Sequence, residues 1–107
     1  RAETVESLGG GWVAEEALAI AVYAALASDS FAAGLQIALC HSGDSDSTAA
    51  IAGNLLGLLY PAQVALHPAH DQIECADLID RIARDLALAE DPATRLSDEF
   101  CERYPGW

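Results

Sequence analysis

The apolar positions of this chain recur at helical rather than strand spacing. Between Trp12 and Ser28, Leu18, Val22 and Leu26 repeat every four residues and Tyr23 extends the stripe, which predicts a helix burying that face. Alanine dominates Ala17–Ala27; it favours helix and lets neighbouring helices come close. Asp29-Ser30 breaks this helix and can cap a second over Phe31–Cys40, in which Leu35, Ile37, Leu39 and Cys40 are apolar. A third helix is predicted from about Ser47 to Leu59 and is apolar nearly all the way round. Such a helix needs cover on every side. Gly53 and Gly57, four residues apart, flatten one of its faces as a close helix contact requires. Tyr60-Pro61 ends it, and His67-Pro68-Ala69-His70-Asp71 reads as a loop. A fourth helix is predicted over Gln72–Ala89, with Cys75, Ile79, Ile82 and Leu86 as its buried stripe and Leu78 alongside. Glu74, Asp77, Asp80, Arg81, Arg84 and Asp85 form its solvated face. Ser97 opens a last short helix, Asp98–Tyr104. Arg1–Gly11 reads as a lead-in loop, because Gly9-Gly10-Gly11 cannot hold a helix. No strand alternation and no internal repeat occurs, so the predicted class is all-α, one domain over residues 1–107.

Composition narrows the possibilities. At 52% hydrophobic, the chain is too apolar for a disordered acidic tail. Five basic against 17 acidic residues give a formal charge of −12, which repels phosphate backbones and anionic lipid. Nucleic acid and membrane surfaces are therefore not expected as partners. The longest apolar run, Ala17–Ala27, is too short to span a membrane. Cys40, Cys75 and Cys101 are widely spaced and form no C-x-x-C pair. They read as free thiols of a reducing, cytoplasmic compartment, with Cys40 and Cys75 as small core residues. The third helix has more apolar surface than this chain can cover. It implies a place at the centre of a larger body, reached by self-association or by joining the remaining part of a longer protein.

The candidate chemistry is concentrated in His41-Ser42-Gly43-Asp44-Ser45-Asp46-Ser47-Thr48. Two carboxylates and three hydroxyls fall within five consecutive residues, directly before the third helix. On an extended loop, Asp44 and Asp46 can point the same way, and Ser47 or Thr48 can add a hydroxyl oxygen. Oxygen-only donors suit a hard cation such as Mg²⁺. The same residue types are ordinary helix N-caps, so a capping role and a metal role both stand on pattern alone. His41 beside the acids can bond a ligand or serve as a structural hydrogen-bond donor. Gly9-Gly10-Gly11 can bring backbone close to a ligand or act as a flexible lead-in. Glu15 and Glu16 lie where the helix macrodipole favours carboxylates. His67, His70 and Asp71 fit no standard metal spacing.

Two blocks carry a family resemblance. Gly10-Gly11-Trp12-Val13-Ala14-Glu15-Glu16-Ala17-Leu18-Ala19, followed by Ser42-Gly43-Asp44-Ser45-Asp46-Ser47-Thr48-Ala49-Ala50-Ile51-Ala52-Gly53, resembles the C-terminal part of the ADP-ribosylglycohydrolase family. That family includes the hydrolase that reactivates dinitrogenase reductase. Its pattern is written G-G-D-x-D-T, then small residues and a glycine. The resemblance spans about Gly10–Tyr60, and the remainder carries no motif. It implies an orthogonal helical bundle around a pair of Mg²⁺ or Mn²⁺ ions, with Asp44, Asp46 and Ser47 as metal ligands. Ser47 stands where the family has threonine, and His41-Ser42 departs from the usual residues before Gly43. Gly10, Gly11, His41 and Gly43 are the implied substrate-side positions. The implied reaction hydrolyses the N- or O-glycosidic bond joining ADP-ribose to a protein side chain, through an oxocarbenium-like transition state. The metals would hold the ribose hydroxyls and a water. The partner is an ADP-ribosylated protein or a small ADP-ribose ligand. The family also uses a threonine with paired aspartates and a catalytic glutamate from its N-terminal half, and no such motif occurs in these residues. The chain is therefore expected to be a C-terminal portion holding no catalytic residue and inactive alone. A non-catalytic relative that keeps the fold for ligand binding or packing is the rival reading.

Overall fold

The computed structural model describes Ala2–Gly106, the side chain of Asp71 aside; Arg1, the outer end of the expected lead-in, and Trp107 lie outside the described residues. The helices are α1 (Ala2–Ser7), α2 (Ala14–Ala27), α3 (Phe31–Leu39), α4 (Ser45–Leu59), α5 (Pro61–Ala65), α6 (Ala76–Leu88), α7 (Pro92–Arg95) and α8 (Asp98–Arg103), with a 3₁₀ turn at His70–Gln72. No strand occurs among the described residues, and the all-α class holds. No helix among them is long and apolar enough to cross a membrane. The chain forms two compact units, one ending at His67 and the other beginning at Pro68.

In the first unit, α2, α3 and α4 pack on one another around Ala21, Ala24, Ala25, Ala38, Ala52 and Leu56. The centre is built almost wholly from methyl groups, which lets the helix axes approach closely. Gly34 on α3 makes the tightest approach: a Cβ there would strike the Leu56 side chain. The hydroxyl of Tyr60, at the end of α4, donates to the carbonyl of Ser28 at 2.9 Å and ties the ends of α4 and α2 together. Ser30 caps α3 by accepting from the Ala33 N–H, as expected. The short α5, missed in the sequence because Pro61 reads as a stop, begins on that proline, where a missing N–H costs nothing.

Five sequence expectations for this unit are corrected. The buried face of α2 is Ala17, Ile20, Ala21, Ala24 and Ala25, whereas Leu18, Val22 and Leu26 point outward. The alanine face wins because it permits close contact with α4. Cys40 is exposed, not core. Gly53 and Gly57 make no close helix contact, since a Cβ at either would meet nothing within 4 Å. The buried stripe of α4 is Thr48, Ala52 and Leu56, while Leu58 and Leu59 stay exposed. Finally, the expected lead-in loop contains α1, anchored by Val5, which is 1% exposed.

In the second unit, α6 starts at Ala76 rather than Gln72. Cys75 sits at its N-cap position with φ of 60°, a left-handed conformation that interrupts the helix and separates it from the 3₁₀ turn. Cys75, Ile79, Ile82 and Leu86 are all exposed, against the expected buried stripe. The buried residue of α6 is Asp85, from the face read as solvated. Its Oδ2 accepts from Arg103 Nη1 at 2.9 Å and from the Tyr104 hydroxyl at 2.7 Å. Asp91 caps α7 through the N–H groups of Ala93 and Thr94, and Ser97 caps α8 through that of Phe100.

Candidate metal centre

The Asp-Ser run lies at the head of α4. Asp44 is the N-cap, so the helix begins at Ser45, two residues before the expected start. Asp46 and Ser47 therefore occupy the first helical turn instead of an extended loop. The two carboxylates are brought together by one donor. The Ser47 N–H bonds Asp46 Oδ1 at 2.9 Å and reaches Asp44 Oδ1 at 3.5 Å. A hydrogen bond with the Asp46 side chain, then those from Ser47, hold the Asp44 carboxyl below its usual range. The N-terminal end of the helix dipole further eases the repulsion between the carboxylates.

Thr48 fixes the base of this arrangement. It is fully buried, and its hydroxyl donates to the carbonyl of Ala38 at 2.8 Å. Its Oγ1 also lies 2.9 Å from His41 Nε2. His41 Nδ1 accepts from the Gly43 N–H at 3.1 Å. An accepting Nδ1 leaves the proton on Nε2, so the ring donates to Thr48 in its neutral Nε2–H form. Both ring nitrogens of His41 are thus engaged inside the loop. Of the two hydroxyls considered as metal donors, that of Thr48 is consumed in the core, which leaves Ser47.

The two motif blocks meet here. The Asp44 N–H donates to the Gly10 carbonyl at 2.8 Å. A Cβ on Gly43 would collide with the Gly10 backbone, so glycine at Gly43 permits a backbone-to-backbone contact. Gly11, at φ of 71°, faces Thr48, Asp44 and His41; a Cβ there would lie 2.8 Å from Thr48 Cγ2. Gly10, Gly11, His41 and Gly43 are therefore all gathered around the head of α4. The Gly10 N–H is in turn held by Glu16 Oε2 at 3.1 Å.

One participant was missed in the sequence. Glu6 on α1 grips the loop from outside, accepting from the Ser42 N–H at 2.9 Å and from the Ser42 hydroxyl at 2.7 Å. Those two bonds hold its carboxyl below the usual range. The signal available was the Val5–Leu8 spacing of a short helical turn, masked by the glycines that follow.

Asp44, Asp46 and Ser47 offer only oxygen, the donor chemistry of a hard divalent cation. Among the described residues, no group of three His, Cys, Asp or Glu side chains comes together in a metal-holding arrangement. The residues present thus fit one edge of such a centre.

The family model of ADP-ribosylglycohydrolase matches residues 1–96. No curated protein and no solved structure matches the chain significantly. The matched span reaches beyond the motif-bearing stretch in both directions, taking in α1 and the Glu6 contact as well as α6 and α7. This chain belongs to the ADP-ribosylglycohydrolase family.

Proposed function

We propose that this chain supplies the C-terminal edge of a two-metal site, with Mg²⁺ or Mn²⁺, in a hydrolase that removes ADP-ribose from modified protein side chains in the cytoplasm. The observation that carries the reading is the convergence of Asp44 and Asp46 on one N–H at the head of α4, in a chain of this family. Asp44, Asp46 and Ser47 would hold one side of the metal pair. When bound, such ions polarise sugar hydroxyls and water and lower the pKa of the water. The chain's own contribution is to keep the Asp44 carboxyl ionised and to hold its direction. Asp44 is fixed at its backbone by Gly10 and at its side chain by the cap. Thr48 and His41 stiffen the turn beneath. Gly43 and Gly11 let the two motif blocks close on each other beside the carboxylates, which fixes the backbone that carries them. None of these groups attacks the glycosidic bond. The threonine, paired aspartates and glutamate implied by the resemblance would come from another polypeptide region.

The test is release of ADP-ribose from an ADP-ribosylated arginine peptide in Mg²⁺. This chain is assayed alone and joined to an N-terminal half from the family that carries the threonine and paired aspartates. Turnover is expected for the joined form and not for the chain alone. Asp44→Asn in the joined form should lower kcat by at least about 10–100-fold, the range for residues that only orient metal ligands. Equal turnover by the chain alone would show the site to be complete within these residues. An inactive joined form would support the non-catalytic relative instead.

A further inference from the structure

The loop from His41 to Asp44 has no helix or strand to hold it, yet its end sets where the carboxylate pair points. Three of its backbone donors have identified partners. The Gly43 N–H goes to His41 within the loop, the Asp44 N–H to the Gly10 carbonyl and the Ser42 N–H to Glu6. The two long-range bonds thus come from residues 6–10 and bracket Gly43. The Gly10 bond is made by backbone alone. The Glu6 bond is made by one side chain that spends both carboxylate oxygens on a single residue, Ser42. Hydrogen bonds to an ionised acceptor are shorter and stronger than neutral ones, in line with the 2.7 and 2.9 Å distances. The helix that carries Glu6 has only six residues, too few to persist by itself. Burial of the neighbouring Val5 gives it a fixed seat.

We propose that Glu6 is a positioning residue for the Asp44–Asp46 pair: by clamping Ser42 it fixes the loop that presents both carboxylates. Its role toward a metal rests on the two-metal reading above; its role toward the loop does not. Without Glu6, Ser42 loses both of its long-range hydrogen bonds, and the outer side of the loop is held by the Gly10–Asp44 bond alone. Asp44 then leaves its cap geometry and the two carboxylates no longer share the Ser47 N–H. Glu6 is itself exposed, so its removal touches no core contact.

The experiment compares the wild-type chain with Glu6→Ala, Ser42→Ala and the double variant by two readouts. One is amide hydrogen exchange at Asp44 and Ser47. The other is Mn²⁺ affinity, followed by paramagnetic broadening of the same loop signals. Glu6→Ala should speed exchange at Asp44 about tenfold and weaken Mn²⁺ binding about tenfold, the low end for groups supporting metal ligands. The melting temperature should stay at the wild-type value. The double variant should be no worse than Glu6→Ala, because the two residues act through one contact. Unchanged exchange in Glu6→Ala, or additive losses in the double variant, would overturn the proposal. Faster exchange in Glu6→Ala with no Mn²⁺ binding by the wild-type chain, either alone or joined to the N-terminal half that carries the other ligands, would support the positioning role and overturn the two-metal reading alone.

Discussion

The two compact units solve the problem of a helical core in opposite ways. The first, ending at His67, is closed by methyl groups: five alanines and Leu56 fill the space between α2, α3 and α4. The second, from Pro68 on, turns on a charge. Its buried residue among those described is Asp85, satisfied by Arg103 and Tyr104. Yet the apolar and polar faces segregate most cleanly in α6 of the second unit, whose Ile79, Ile82 and Leu86 remain exposed. Amphipathic pattern and burial are therefore separate properties. A pattern says which face could be covered; burial needs a second layer at the right distance. Alanine provides that distance in the first unit, while among the described residues the α6 stripe of the second stays exposed.

The sharpest way to break the comparison is to enlarge the space that the alanines close. Leu56→Ala removes the largest member of the first core, a side chain with no exposure. It is expected to cost about 2–5 kcal/mol, enough to melt α2–α4 early in a thermal scan followed by far-ultraviolet dichroism. A loss below about 1 kcal/mol would mean that Leu56 does not close that core.

The second unit should respond to pH instead. Hydrogen bonds from Tyr104, then Arg103, depress the Asp85 pKa in the folded state. A depressed carboxyl contributes stability that is complete above the unfolded pKa, about 4, and is lost as pH falls through the lower folded value. The same hydrogen bond raises the Tyr104 pKa, so that contribution is complete below about pH 10 and lost as pH rises through the raised value. Proton resonances of Tyr104 and Phe100 should therefore shift at both extremes while the methyl signals of Leu56 and Ile20 hold. In Asp85→Asn the acid transition should vanish and the alkaline one should move down toward the ordinary tyrosine range. An acid transition that persists, or an alkaline one that does not move, would place the responsible groups elsewhere.

The smallest effect concerns the open face of α4. A methyl added at Gly53 meets nothing, so Gly53→Ala should stabilise the first unit by about 0.5–1 kcal/mol through helix propensity. A fall in melting temperature would show that this face is packed after all.

Helix class and the positions of α2, α3, α4 and α8 were legible in the sequence because capping residues and Pro or Gly stops act locally. So was the gathering of Asp44, Asp46 and Ser47 at the head of α4, since they are neighbours in the chain. Burial was not legible. Leu18, Val22 and Leu26 carry the strongest apolar signal in α2 but face outward, because alanine reads equally well on either face. Asp85 looked solvated because its partners lie 18 and 19 residues away. Glu6 escaped notice for the same reason, its contact with Ser42 spanning 36 residues. Local signals reveal elements and motifs; the contacts that orient them are set by distant residues.

The touch between Gly10 and Gly43 has a consequence for how the site can vary. Contacts between side chains can be adjusted by changing rotamers or exchanging one residue for a similar one. Here two backbone segments meet with no side chain between them. Their separation is fixed by covalent geometry and by the Asp44–Gly10 hydrogen bond. Substitution at Gly43 can only wedge the segments apart, never bring them closer. Chemical variation around the carboxylate pair is thereby directed to positions that leave this seam alone, such as the hydroxyl of Ser47, whose exchange for threonine adds a methyl without altering the spacing.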